Sequence, residues 1–593
     1  MARNILVAVA WPYASANVHV GNLGGAYLPA DIYARFHRLQ GDRVLMVSGS
    51  DSHGTPITVA ADAAGVTPGE LFVRYHRRFL DLFVAMGISY DLFTHTDTEN
   101  HHRVAQDIFL TLLDDGFLTR QTQRQLYSVA EGRFLPDRYV EGTCPICGHD
   151  GARGDQCENC GNLMDALELI NPRSRTDGST PEARETEHFY LDLSALGEEL
   201  GAWLDKDKGD WRPQVINFAR NMVKGGLQPR PITRDLDWGI PVPVEGWEGK
   251  CLYVWFEAVI GYLSASIEWA RNQGTPDAWK DWWYDPSART TYFIGKDNIV
   301  FHAVIWPAQL MGTGRLYEED EGKRFNLPWN VPANEFLNLE GKAMSGSRNW
   351  AVWVDDFLTR YDPDPLRYYL TVIAPETRDT DFAWGDFLRR NNDELVATWG
   401  NLVNRVLSFT YKNFEGRIPV PGLMERRDAE ILAKVDVSFK PIAESYELCK
   451  FRAALNETMA LARDVNVYLD TKAPWFQIKE DKTAAGTTAY VALRAIDSLK
   501  TLFAPVLPFS SQQLHQMLGY EGSVCGEQRV ELYRESEKTH LALIFNSGAL
   551  TERWEPSQLP AGQSLQKPRP LFKKLDESIV EQELARMGKS NAD

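Results

Sequence analysis

Positive charge is what this 593-residue chain lacks most plainly. Its 63 Lys and Arg stand against 81 Asp and Glu, a formal net charge of −18. General affinity for nucleic acid needs clustered Lys and Arg to release counterions, so a non-specific DNA binder is excluded. A folded RNA met through local basic patches is not. There is no run of eighteen uncharged apolar residues to make a transmembrane helix, and no membrane partner is expected. The apolar run after Arg3 leads directly into a structured motif and does not read as a signal peptide. Phosphate-binding motifs are missing too: the first strand–turn–helix lacks Gly-x-Gly-x-x-Gly spacing, and Gly-x-x-x-x-Gly-Lys-Ser/Thr occurs nowhere. Low-complexity segments, internal repeats and a β-rich C-terminal appendage are all absent from the pattern. The composition, 44 % apolar and 24 % charged, is that of an ordinary soluble globular protein. The length requires two to four domains.

Cysteine is scarce, with seven in all, but four of them cluster as Cys144-Pro-Ile-Cys147-Gly and Cys157-Glu-Asn-Cys160-Gly. Each pair fits a knuckle in which two thiolates of one tight turn grip a metal. Two pairs supply a tetrahedral zinc with four sulfurs and no open position, a structural site. The chain is expected to be cytoplasmic, where a disulfide framework is disfavoured. Cys251, Cys449 and Cys525 are read as core residues.

Asn4 to Ala10 is an apolar run that reads as a buried first strand of a parallel sheet. It leads into Pro12 to Asn22, a small-residue turn ending in His19-Val20-Gly21-Asn22, which sets an imidazole and backbone N–H groups at a helix N-terminus, a site suited to phosphate. Arg43 to Ser48 reads as a second strand delivering Asp51-Ser52-His53-Gly54-Thr55-Pro56 to the carboxyl edge of the sheet, where ligands bind. From about Asp115 to Thr233 the pattern breaks into short segments around the cysteines, as in an insertion. Sheet signals return at Lys250 to Trp255 and Thr290 to Ile294. Many of the 18 tryptophans fall between Trp203 and Trp384, suggesting a well-filled aromatic core. Beyond Arg390 strands almost vanish, and Leu395, Trp399, Leu402 and Val406 form an amphipathic helical stripe. Further helical segments run from Asp428 through Tyr520, interrupted at Pro474, the pattern of a bundle.

The order of these parts carries a resemblance. His19 and Gly21 match the HIGH signature of class I aminoacyl-tRNA synthetases, with Asn22 for the second His. Ala343-Met344-Ser345-Gly346-Ser347-Arg348 resembles their mobile KMSKS loop. With Ala10-Trp11-Pro12-Tyr13, the Asp51 to Pro56 run, Tyr253 to Tyr262, Phe293 to His302 and Ala473-Pro474-Trp475, residues 1 to 550 resemble the methionyl-tRNA synthetase family. The insertion is too short for the hydrolytic editing domain that the isoleucine, valine and leucine enzymes carry at this place.

The resemblance implies an α/β, Rossmann-like parallel-sheet catalytic domain split by a zinc-knuckle insertion and followed by an all-α anticodon-binding bundle. The expected boundaries are 1–115 and 234–325 for the two halves of the catalytic domain, 116–233 for the insertion, 326–390 for the loop and stem-contact region, 391–556 for the bundle and 557–593 for the tail. The implied reaction joins ATP and L-methionine into methionyl-adenylate, releasing pyrophosphate, and then charges tRNA(Met), initiator and elongator, releasing AMP. It implies one structural Zn2+ on Cys144, Cys147, Cys157 and Cys160, and Mg2+ with ATP. His19 and Asn22 would meet the triphosphate; Gly21, Lys296, Asp297, Ser345, Gly346 and Ser347 would surround the nucleotide. Ala10, Trp11, Tyr13, Asp51, Trp255, Ala258, Tyr262 and His302 would hold methionine, with Asp51 accepting from its amino group. Asn401, Arg405 and Trp475 would meet the anticodon. Asn401 and Arg405 fall off the apolar stripe and share one exposed flank. A monomer is expected.

The sequence also departs from the family. Trp11, Val259 and Asn298 stand where the bacterial enzymes carry Leu, Pro and Ile, which alters the finer shape of the pocket. Both loop lysines are replaced, by Ala343 and Gly346, leaving Lys342 and Arg348 as the nearest cations. A second reading therefore stays open, a tRNA-binding paralogue that has lost adenylation.

Overall fold

The computed structural model describes residues 2–588 except 137–138, 155–156, 158, 161–163 and 347, so Ser347 lies outside the described residues. The apolar run at the start forms the strand Asn4–Val9, with Ile5 to Val9 wholly buried. A strand hidden on both faces needs continuous apolar sequence, not alternation. It pairs in parallel with Arg43–Ser50 on one side and Arg289–Gly295 on the other. Leu92–His95 and Ala333–Asn334 extend the parallel sheet outward. Strand order reverses at Asn4–Val9, so the segments leaving Val9 and Gly295 diverge around a crevice at the carboxyl edge. In open α/β sheets this switch point is where ligands bind. Trp282, Trp283, Trp306 and Trp384 are buried, in keeping with the expected aromatic core.

Two expectations need correction. Lys250 to Trp255 is not a sheet strand: only Cys251–Leu252 pairs, with Thr233–Arg234, and a helix begins at Val254. Trp255 therefore sits in the first turn of Val254–Asn272, which places Trp255, Ala258 and Tyr262 along one face at spacings of three and four. The C-terminal half is also not free of strands. Glu527–Arg534 and Thr539–Asn546 form a hairpin that leaves the helices and joins the catalytic sheet antiparallel beside Leu92–His95. The expected break between a sheet domain and an all-helical one is thus bridged by shared hydrogen bonding.

The insertion builds a four-stranded antiparallel sheet, led by Leu118–Ser128 against Glu182–Leu191, and a three-stranded sheet around the cysteines. The helices Asn401–Asn413, Arg426–Glu447, Phe451–Lys472 and Lys482–Phe503 form the bundle. The stripe Leu395, Trp399, Leu402 and Val406 is buried as expected. The tail returns to the catalytic half, where Arg360 donates to both oxygens of Glu583 at 2.7 and 2.9 Å. Farther along, Gly588 N–H donates to the Asn349 carbonyl at 3.1 Å.

Candidate active site

The HIGH-like turn is held by its own side chains. His19 caps the helix Val20–Asn22, its Nδ1 accepting from Gly21 N–H at 3.1 Å and Asn22 N–H at 3.3 Å. Two donors on Nδ1 assign the ring proton to Nε2. Burial pushes the imidazole down to about 4, so the ring is neutral near pH 7 and Nε2–H remains a donor. Asn22 Oδ1 accepts from His19 N–H at 3.2 Å, which leaves the exposed Asn22 amide N–H2 as a second uncharged donor beside it. Gly21 has no room for a side chain. A Cβ there would lie 2.9 Å from the His19 ring and 3.3 Å from Met344 Sδ.

That Met344 contact brings the KMSKS-like segment against the HIGH-like turn. Ser345 and Trp350 exchange backbone hydrogen bonds at 2.9 Å, closing a short hairpin, and Gly346 lies close to the Trp353 ring. Trp353 in turn packs on His19, ring centres 6.0 Å apart. Lys342 is exposed with its ammonium 5.0 Å from the Trp350 ring centre, and Arg348 is exposed. A cleft of about 1000 Å³ opens beside the loop between Ser15, Asn17, Gly346, Trp353, Asp355 and Glu583.

Across the crevice, Lys296 and Asp297 follow the strand Arg289–Gly295 directly. The Lys296 ammonium is held by Glu335 and Asp379, both at 2.8 Å. Its charge is thus compensated within the protein, and it is positioned rather than free. Asp297 is exposed at the edge of the crevice, and partial desolvation of its carboxyl raises it from the ordinary range against the pull of Lys296.

The residues expected around methionine converge. Tyr13 meets Trp255 edge-on at 5.9 Å, and Trp11 meets Tyr262 at 6.4 Å. Ala258 is buried on the same helical face, and Ala10 is fixed by its N–H to the Phe293 carbonyl at 3.0 Å. His302 Nδ1–H donates to the Asn298 carbonyl at 2.9 Å, so its Nε2 accepts from Tyr262 O–H at 2.7 Å. Burial pushes His302 down to about 4, and the pair is neutral, as an apolar side-chain pocket requires. The departure at Trp11 has a structural counterpart. A Cβ at Gly261 would lie 2.5 Å from the indole, and one at Gly49 2.1 Å from it. Two glycines make room for the larger residue. Both went unassigned in the sequence, because a glycine in a strand end or helix interior signals close approach only when the approaching group is known.

Asp51 is buried at the end of its strand, its backbone paired to Pro12 and Ala14. Burial first, and then the nearby Glu257 carboxylate, raise its carboxyl well above the usual range. A buried carboxyl in that condition favours a cationic ligand. Glu257 carries no motif that marks it in the sequence. It lies wholly buried between His53 Nδ1 at 2.9 Å and His101 Nε2 at 3.3 Å. Its helical spacing looks like that of any surface glutamate, so only the fold shows it. A second cavity of about 680 Å³ runs from Tyr13 and Trp255 to Gln123, Arg124 and Arg234 of the insertion side.

On the bundle, Arg405 stacks its guanidinium 4.7 Å over Trp475 and pairs with Asp470 at 2.8 Å. Asn401, exposed, lies one turn away on the same helix. Ala473 at φ +45° breaks the long helix before Pro474 and presents Trp475 on the bend. In the insertion, Cys144 and Cys160 sulfurs lie 3.9 Å apart and Cys147 and Cys157 sulfurs 3.7 Å. All four fall within 4.8 Å of one another. A tetrahedral zinc with bonds of about 2.3 Å separates its sulfurs by about 3.8 Å, so the four cysteines fit the ion.

Comparison with known proteins agrees with this geometry. Residues 5–407 match the family of class I tRNA synthetases (M), and residues 418–538 match the anticodon binding domain of methionyl tRNA ligase. A methionine–tRNA ligase of Thermomicrobium roseum is 57 % identical over 589 residues, 99 % of each chain. One from Chloroflexus aurantiacus is 53 % identical over 598 residues, again 99 % of each. The solved Mycobacterium tuberculosis methionyl-tRNA synthetase in complex with methionyl-adenylate superposes with a TM-score of 0.74 at 26 % identity, covering 96 % of this chain and 100 % of that one. By sequence along its whole length and by fold, the chain belongs to the methionyl-tRNA synthetase family of class I tRNA synthetases.

Proposed function

We propose that the protein activates L-methionine with ATP to methionyl-adenylate and transfers the methionyl group to tRNA(Met), initiator and elongator alike. The observation that carries this reading is the meeting of an aromatic, uncharged pocket and a buried carboxyl, Asp51, at the switch point beside the HIGH-like turn. The methionine carboxylate is itself the nucleophile: its oxygen attacks the α-phosphorus of ATP, and the bond to pyrophosphate breaks. The protein has no proton to abstract, so catalysis is positioning and stabilisation of charge.

Asp51 takes the ammonium, while Trp11, Tyr13, Trp255, Ala258, Tyr262 and His302 surround the thioether, for which aromatic walls are favourable partners. His19 Nε2–H and the Asn22 amide donate to phosphate oxygens. Asp297 receives ribose hydroxyls. Lys342 and Arg348 approach the leaving pyrophosphate when the loop closes, and Gly346 lets backbone N–H groups draw near. Magnesium bound with ATP would supply neutralisation of its phosphate charge. Cys144, Cys147, Cys157 and Cys160 hold one zinc, whose filled tetrahedron makes it structural. Asn401, Arg405 and Trp475 hydrogen-bond and stack on splayed anticodon bases. The protein works as a monomer in the cytoplasm.

The test is charging. Purified protein with ATP, magnesium and labelled methionine should aminoacylate tRNA(Met) and leave other tRNAs uncharged. Methionine-dependent pyrophosphate exchange without charging would defeat the tRNA assignment.

A further inference from the structure

Besides the cysteines, one other group of donor atoms converges among the described residues. His53 Nε2 lies 3.6 Å from Asp97 Oδ1, and His102 Nε2 lies 3.3 Å from the same oxygen. A tetrahedral ion with bonds of about 2.0–2.1 Å holds its ligands about 3.3 Å apart, close to both distances from Asp97, and all three donor atoms lie within 4.8 Å of one another. Two imidazoles and one carboxylate form a donor set suited to zinc-like transition cations. His53 is braced from behind, its Nδ1 donating to both oxygens of Glu257 at 2.9 and 3.1 Å. A carboxylate behind an imidazole fixes ring and tautomer and turns the Nε2 lone pair toward a metal. His102 Nε2 is a buried atom that makes no hydrogen bond, although Asp97 stands beside it. The three side chains are 2, 17 and 22 % exposed, so the group lies largely inside the protein, and three donors leave a fourth position of a tetrahedron unfilled.

We propose that His53, Asp97 and His102 form a second metal site, open at its remaining position, for a divalent transition cation of the zinc class. It is distinct from the cysteine cluster and stands two residues from Asp51. In the structure Asp97 Oδ1 also accepts from Lys538 Nζ at 2.8 Å, from a lysine whose side chain is 42 % exposed. The ammonium and the metal ion compete for that oxygen, and binding releases Lys538 to solvent. The site therefore fills by exchange and binds more weakly than four thiolates do.

Cobalt(II) tests this on the whole protein after the cysteine site has been loaded with one equivalent of zinc. Titration should add a second ion with visible d–d absorption and no sulfur-to-cobalt charge-transfer band, because no thiolate takes part. Asp97→Asn and His102→Gln should each weaken that binding by about tenfold or more, and Lys538→Ala should tighten it. Circular dichroism of each variant separates lost binding from lost fold. A titration in which no second ion binds overturns the proposal. So does a second ion whose affinity is unchanged in both Asp97→Asn and His102→Gln, or one that carries the charge-transfer band of a cysteine site.

Discussion

Gly261→Ala is a small change with a large expected effect on methionine binding. The added Cβ would sit 2.5 Å from Trp11 Cζ2 and 2.7 Å from Cε2, far inside contact distance. Neither side can give freely, since Gly261 is in the buried interior of Val254–Asn272 and the indole is also pressed against Gly49, where a Cβ would lie 2.1 Å away. Overpacking of this kind costs about 1–3 kcal/mol. If the indole moves into the pocket to relieve it, the cost falls on methionine, and KM for methionine in pyrophosphate exchange should rise about 5- to 150-fold. KM for ATP should hold. The control is the pair: Trp11→Leu removes the obstructing rings, so the double variant should recover most of the loss, with a coupling energy of at least about 1 kcal/mol. An unchanged methionine KM in Gly261→Ala, or a double variant as impaired as the sum of the singles, would refute the claim that these glycines exist to seat Trp11.

Asp51→Asn removes a charge-assisted hydrogen bond worth about 1.5–3 kcal/mol and should cost at least about tenfold in methionine-dependent exchange with the fold intact. Because burial and Glu257 raise the Asp51 carboxyl, an arriving ammonium should drive off its proton. Calorimetry in buffers of different ionisation enthalpy should show proton release on methionine binding, growing as pH falls and absent in Asp51→Asn. Lys342→Ala or Arg348→Ala, whichever removes the compensating cation, should slow adenylation by about a hundredfold or more, as losing a preorganised donor costs about 3–4 kcal/mol. Methionine binding should hold in both, and parental rates in both would assign the charge to backbone or magnesium. Cys147→Ser should lose zinc by metal analysis and weaken charging more than adenylate formation. Glu583→Ala breaks the contacts with Arg360 and Tyr361, and hydrogen exchange should rise in the tail and in the hairpin around Asn349, which the tail touches.

The elements that the sequence announced are those whose pattern is local. Asn4 to Val9 is a continuous apolar strand because both faces are covered, and Arg43 to Ser50 and Arg289 to Gly295 follow the same logic. The cysteine knuckles speak through spacing alone, and the 395–406 stripe through periodicity. Lys250 to Trp255 misled because a short apolar run has no period to distinguish a strand from the first turn of a buried helix. The hairpin at 527–546 was hidden for the opposite reason. Its outer strand alternates exposed and half-buried positions, and its place depends on the sheet edge offered by Leu92–His95, more than 400 residues earlier. Within the site, the residues of the HIGH-like turn and the aromatic pocket were legible by motif. Glu257, Gly49, Gly261 and the tail's return to Asn349 were not, because each matters through a partner distant in sequence.

The central claim is that this chain forms methionyl-adenylate despite a loop without its usual lysines. Methionine-dependent exchange of labelled pyrophosphate into ATP measures that step directly, without tRNA. The zinc-replete protein at saturating magnesium should exchange with methionine and with no other standard amino acid at a comparable rate. No exchange above the no-enzyme background would contradict the account and leave a tRNA-binding protein that has lost its chemistry.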